Sequence, residues 1–171
     1  LQDSENPNFV TLFTTTNHQP WQIPVDKESV IPEFEQLGTE VPYVLRTMAY
    51  TDDCIGEFLQ NNDQMKWMKN TLFIFIADHG LNVFKDQFED PRNAHIPFLF
   101  YAPGLIHHPQ EIHQPVSQAD VATTLLHLIG YPLPFALLGS NILAEDYKGL
   151  SCRVVNDYAM WAEQEFLLTS I

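Results

Sequence analysis

Thr71-Leu72-Phe73-Ile74-Phe75-Ile76-Ala77-Asp78-His79-Gly80 is the stretch that decides how this chain folds. Its apolar run is short and rich in β-branched and aromatic residues, which predicts a strand buried on both faces, as in a central parallel sheet. The run stops abruptly at a carboxylate, an imidazole and a glycine. In open α/β sheets the loops at the carboxyl ends of strands converge on a shared crevice, and ligands gather there. Asp78 and His79 are therefore the first candidates for chemistry. Both side chains bind divalent cations, and Gly80 lets the backbone turn away while they face an ion. The plainer alternative makes Asp78 a cap of the following turn and His79 an ordinary loop residue. These residues alone favour the plainer reading.

Upstream, Phe9-Val10-Thr11-Leu12-Phe13-Thr14-Thr15-Thr16 has strand composition and runs into Asn17-His18-Gln19-Pro20-Trp21, a polar turn with a proline stop. Residues 26–39 read as irregular or lightly helical. Beyond Pro42, the positions Val44, Met48, Thr51, Ile55, Phe58 and Leu59 recur at spacings of three and four. They predict an amphipathic helix ending near Asn61, broken by Asn61-Asn62-Asp63. Downstream, a polar loop over 81–93 leads to a second apolar run, Ile96-Pro97-Phe98-Leu99-Phe100-Tyr101. Pro97 cannot donate to a ladder and belongs at the strand start or on a free edge. Ser117 is a good N-cap with Asp120 three residues on. Val121, Leu125, Leu128 and Ile129 share a face, and Gly130 supplies the stop. Near the end, Arg153-Val154-Val155 and Glu165-Phe166-Leu167-Leu168 suggest a closing hairpin. The order of elements is that of an α/β sheet flanked by helices.

Of 171 residues, 45% are hydrophobic, enough for one globular unit with a real core. Eight Lys and Arg against 22 Asp and Glu give a net charge of −14, which repels nucleic acid and anionic membrane surfaces. Any anionic substrate must be held by local positive charge, from a metal ion or histidines. Cys54 and Cys152 have no metal-site or redox spacing. No apolar stretch reaches the length of a transmembrane helix. The chain begins at Leu1 and enters a strand-like segment at once, as a piece of a longer protein would.

Four blocks in order resemble the alkaline phosphatase/sulfatase superfamily. They are Tyr50-Thr51-Asp52-Asp53-Cys54-Ile55-Gly56, the 70–80 strand ending in Asp-His-Gly, His95-Ile96-Pro97 through Pro103-Gly104, and Ser117 through Leu126 followed by Gly130. Within it, Thr15-Thr16-Asn17-His18-Gln19-Pro20-Trp21 is similar to the Ser/Thr-Asn-His-x-Pro-aromatic segment of lipoteichoic acid synthase-like phosphoglycerol transferases. The resemblance implies the carboxy-terminal portion of an alkaline phosphatase-like α/β domain. Its sheet is largely parallel and flanked by helices, with a core at 8–145 and a small terminal hairpin region at 146–171.

By the same resemblance Asp78 and His79 are metal ligands, and His18 faces the substrate phosphate; a plain turn-closing role is its alternative. His95 borders the pocket or merely flanks a strand. His107, His108 and His113 read as surface residues, and Gln118 and Asp120 as structural. The family's Thr or Ser nucleophile and a further acidic ligand lie upstream of the matched region, so the expected partner is a missing amino-terminal half, and this chain alone should be inactive. The implied cofactor is one divalent ion, manganese by analogy, with Mg²⁺, Ca²⁺ or Zn²⁺ as alternatives. The implied activity is phosphoglycerol transfer from an anionic phospholipid or glycan-type substrate, through a covalent phospho-enzyme. It would act outside the cytoplasmic membrane, periplasmic or extracellular, anchored by parent segments. The alternatives are a sulfatase or phosphodiesterase of the same superfamily, and, from another class, a non-catalytic sulfatase-like binding module.

Overall fold

A computed structural model describes residues 6–27, 41–81, 91–132, 137–147, 151–155, 158–162 and 166–170. Most of the 26–39 segment and of the 81–93 loop lie outside them, as does Glu165. The chain divides into two compact units, Leu1–Pro109 and Gln110–Ile171.

In the first unit, helix α1 spans Val41–Asn62, within a residue of the end expected from its apolar spacing. It ends where Asn62 turns its amide back to donate to the Phe58 carbonyl at 2.8 Å, satisfying a last-turn acceptor. A 3-10 turn, Met68–Asn70, follows and leads into strand β1, Phe73–Ile76. Thr71 Oγ1 donates to the Trp67 carbonyl at 2.6 Å and closes that connection. Strand β2, Phe98–Tyr101, pairs with β1 from Phe73 opposite Tyr101 to Ile76 opposite Phe98. Pro97 sits just before β2, where its missing N–H costs nothing.

An aromatic cluster ties these elements together. The rings of Phe58, Trp67 and Phe73 lie 6.1–6.3 Å from one another, and Tyr101 lies 6.1 Å from Phe73. Such tilted and edge-on pairs each add about 1 kcal/mol beyond their buried area. Met68, 1% exposed, is the most buried apolar side chain of this unit.

In the second unit, helix α2 spans Gln118–Leu128 with Ser117 as N-cap, and Gly130 takes a positive φ of 66° just past its end, as expected. Asp120, 3% exposed, is the hub of this unit. Its carboxylate accepts from the Ser117 N–H at 2.8 Å, the Ser140 N–H at 2.7 Å and the Tyr147 hydroxyl at 3.1 Å. Thr124 Oγ1 donates to the Asp120 carbonyl at 2.7 Å and accepts from the Ile142 N–H at 3.1 Å. These bonds hold the 137–147 segment against the start of α2. Burial and the neighbouring Asp120 push the Tyr147 phenol above its ordinary range.

Several expectations are corrected. Residues 9–16 belong to no sheet among the described residues. Phe9, Leu12 and Phe13 are 82%, 83% and 76% exposed, because strand composition without a neighbouring ladder leaves a segment solvated. The β1–β2 pair is antiparallel, one ladder within a sheet expected to be largely parallel. Nor is β1 buried on both faces; with one ladder neighbour described, it is half-buried, and Ile76 is 41% exposed. The closing hairpin is instead a three-stranded antiparallel sheet. Strand β4, Tyr158–Ala162, lies between β3, Ser151–Val155, and β5, Phe166–Ser170.

Candidate functional site

Asp78 and His79 lie just past the carboxyl end of β1, on a loop with side chains 60% and 73% exposed. Their geometry is local and specific. His79 Nδ1 sits 3.0 Å from the Gly80 carbonyl. A carbonyl can only accept, so Nδ1 carries the proton. In the neutral ring Nε2 then has its lone pair free to bind a cation. Asp78 Oδ1 accepts the His79 N–H at 2.9 Å, while Oδ2 lies 3.7 Å from His79 Nε2. Two lone-pair donors thus sit close together on a solvated loop.

That donor set fits a divalent cation. Two ligands each ~2.1 Å from a tetrahedral ion stand roughly 3.4 Å apart, near the separation here. A metal-binding histidine also usually donates its other ring N–H to a carbonyl or carboxylate, as His79 does to Gly80. Among the described residues no group of three or more His, Cys, Asp or Glu side chains is placed to hold a metal. Asp78 and His79 would form part of a coordination shell.

Gly80 explains how the loop is held. A Cβ built there would collide with the Asn93 carbonyl and lie 3.5 Å from the His95 carbonyl. The Asp78-His79-Gly80 loop therefore packs directly on the backbone entering β2, and only a residue without a side chain allows that approach. This contact places the His95 backbone beside the loop, with the His95 side chain exposed. Asn93 was not singled out in the sequence, since a backbone carbonyl leaves no trace in residue type.

His18 sits on an exposed turn before α1. The turn is closed by the His18 N–H donating to Thr15 O at 3.1 Å and the Trp21 N–H donating to His18 O at 3.0 Å. Gln19–Pro20 is a cis peptide, and Trp21 has φ 58°. His18 Nδ1 lies 2.9 Å from the Gln19 carbonyl and so carries a proton. An anion meeting this ring would meet Nε2, which donates only when the ring is protonated. Thr51 Oγ1 on α1 donates to Asn17 Oδ1 at 3.1 Å, a link the helix spacing had hidden by making Thr51 a face residue.

The remaining candidates fall as expected. Asp120 is structural. His107, His108 and His113 are exposed, with His113 Nδ1 3.8 Å from Glu111 Oε1. Cys54 is a free thiol. It forms a hydrogen bond with Tyr50 that, with burial and the charges of Cys54, Asp26 and Glu57, pushes the Tyr50 phenol up.

A half-buried strand ending in Asp-His-Gly and a glycine-sealed loop form the frame of the candidate site. The Sulfatase family model matches residues 1–131, and the chain belongs to that family, within the alkaline phosphatase/sulfatase superfamily. Membership implies an alkaline phosphatase-like α/β fold. The chain is 26% identical over 162 residues to the lipoteichoic acid synthase-like protein YvgJ of Bacillus subtilis (strain 168), covering 85% of this chain and 26% of that protein. It is 32% identical over 126 residues to human arylsulfatase K, covering 69% and 23%. It is 25% identical over 167 residues to an endo-4-O-sulfatase of Bacteroides thetaiotaomicron, covering 82% and 33%. The chain thus spans a third or less of the length of these relatives. No solved structure matches it significantly.

Proposed function

We propose that this chain is part of a metal-dependent phosphoglycerol transferase, contributing Asp78 and His79 as metal ligands and His18 as the group facing the substrate phosphate. The observation that carries the reading is the 15–21 segment. Its turn is self-closed, and the exposed His18 ring is held through Nδ1, which leaves Nε2 as the ring nitrogen for a ligand. The similarity to the lipoteichoic acid synthase-like protein, running over most of the chain, supports the same reading.

A divalent cation bound at Asp78 and His79, manganese by analogy, supplies Lewis-acid stabilisation of phosphoryl oxygen charge. A hydroxyl nucleophile outside these residues attacks phosphorus, and the bond to the leaving oxygen breaks, giving a covalent phospho-enzyme that an acceptor resolves. His18, protonated, donates through Nε2 to the leaving oxygen or to a non-bridging oxygen. His95 borders the pocket from beneath the loop. The rest of a largely parallel sheet, the nucleophile and the remaining ligands belong to a preceding half of the same domain. The substrate is an anionic phospholipid or glycan-type donor, met outside the cytoplasmic membrane. No helix among the described residues is long and apolar enough to cross a membrane.

A second reading, a sulfatase, is favoured by the higher identity to human arylsulfatase K. The test is turnover by the full-length parent of phosphatidylglycerol vesicles against 4-nitrophenyl sulfate, with His18→Ala in parallel. The transferase reading expects diacylglycerol release, little sulfate release, and a loss of ~10²–10⁴-fold in His18→Ala with bound metal unchanged. Sulfate release as the main activity, or a His18→Ala variant that keeps most of its rate, contradicts it.

A further inference from the structure

We infer that Thr51 on α1 is a positioning residue for His18, acting through Asn17. The inference rests on the reading of His18 given above and extends it to a residue that touches no substrate. The bonds inside the 15–21 turn fix its shape, since His18 N–H reaches Thr15 O, Trp21 N–H reaches His18 O, and the ring is fastened to Gln19 O. None of them fixes where the turn points. Asn17, His18, Gln19 and Pro20 are all exposed, so packing does not hold them.

The direction is set by Thr51 Oγ1, which donates to Asn17 Oδ1 at 3.1 Å across 34 positions of sequence. Asn17 is joined to His18 by a peptide bond, so moving one moves the other. The anchor itself is firm. Thr47, one turn earlier on α1, is fully buried with its hydroxyl bonded to the Val44 carbonyl, and Phe58 further on belongs to the aromatic cluster. Of the two χ1 rotamers open to a helical threonine, Thr51 takes the one that carries its hydroxyl to Asn17 instead of back to its own helix.

A second attachment, Lys27 Nζ to Glu57 Oε1 at 3.5 Å, lies six residues further along α1, or ~9 Å by helical rise. The 17–27 segment is therefore strung along α1, with Thr51 at the His18 end. The ion pair is half-exposed and contributes little. Thr51 carries the orientation. A donor that must meet a developing charge loses rate when its aim drifts by a fraction of an ångström.

The experiment uses the full-length parent with phosphatidylglycerol vesicles as donor. Thr51→Val keeps the side-chain shape and removes the hydroxyl. It should lower kcat by about three- to tenfold, the scale of one neutral hydrogen bond, with bound metal unchanged. Thr51→Ser should restore most of the rate. Placed in the His18→Ala background, Thr51→Val should change nothing further, because both substitutions would remove the same contribution. A wild-type rate in Thr51→Val overturns the inference. So does a loss of equal size in the His18→Ala background, or a loss accompanied by loss of metal. A fully active His18→Ala variant is a separate failure, visible before Thr51 is touched, which ends the reading of His18 and the positioning role with it.

Discussion

Two aspartates of this chain sit in opposite settings, one buried within a hydrogen-bond network and one exposed at a strand tip. Asp120 is 3% exposed at the start of α2, and three donors converge on its carboxylate. Asp78 lies at the end of β1 with its side chain 60% exposed, one oxygen on the next residue's N–H and the other facing His79 Nε2. A buried carboxylate is tolerated only when its lone pairs are met, and at Asp120 they are met by the protein itself. Asp78 instead is solvent-facing, with Oδ2 3.7 Å from His79 Nε2, an arrangement compatible with a shared cation. The two carboxylates differ in burial and in how their oxygens are met.

The comparison breaks most visibly at Asp78. In the full-length parent, Asp78→Ala and His79→Ala should each lose bound metal and activity together, the latter by at least ~10³-fold, as expected when a metal that stabilises phosphoryl charge is removed. Elemental analysis of the purified variants beside turnover checks this. Retained metal in either would end the ligand assignment.

At Asp120 the effect moves to stability. Asp120→Ala removes the acceptor of the Ser117 and Ser140 N–H groups in a part-buried setting, while the Tyr147 hydroxyl keeps the Pro115 carbonyl, and should destabilise the second unit by about 2–3 kcal/mol. Chemical denaturation followed by far-UV circular dichroism reads it. An unchanged midpoint would mean that the network holds nothing.

Tyr147 sharpens the contrast at smaller scale. Tyr147→Phe removes the hydroxyl whose single proton is shared between the Pro115 carbonyl at 2.8 Å and Asp120 Oδ2 at 3.1 Å, and should cost about 1 kcal/mol. The pH dependence has a definite sign. The folded phenol titrates above its unfolded value of about 10, so its contribution is fully present below pH ~10 and is lost as pH rises toward the folded value. Wild type should lose stability on that alkaline limb faster than Tyr147→Phe. Parallel melts at neutral pH and above pH ~10 would show it, and identical slopes would refute it.

What was legible in the sequence was local. The apolar spacing of α1, the Ser117 cap and Gly130 stop of α2, and the position of Pro97 before β2 follow from rules that act within a few residues. The Asp-His-Gly at the end of β1 was legible for the same reason, because a strand tip is read from where an apolar run stops. What escaped was pairing across distance. Nothing in residues 71–77 says that β2 runs antiparallel to them, and nothing in Arg153-Val154-Val155 says that a third strand intervenes before Phe166. The carbonyl of Asn93 beneath Gly80 is invisible to any pattern of side chains. Thr51 was placed correctly on α1, but its bond to Asn17 escaped because helical spacing registers which face a residue occupies and not the amide it meets.

The most direct test compares Asp78→Asn with Asp120→Asn in the full-length parent, each measured for bound divalent metal and, after metal removal, for Tm. Removing the metal first keeps ligand-linked stabilisation out of the comparison. The account predicts opposite results. Asp78→Asn should lose its metal while its metal-free Tm stays at the wild-type value, and Asp120→Asn should melt several degrees lower while binding metal at the wild-type stoichiometry. A metal-replete Asp78→Asn, or an Asp120→Asn that sheds metal at unchanged Tm, would contradict it.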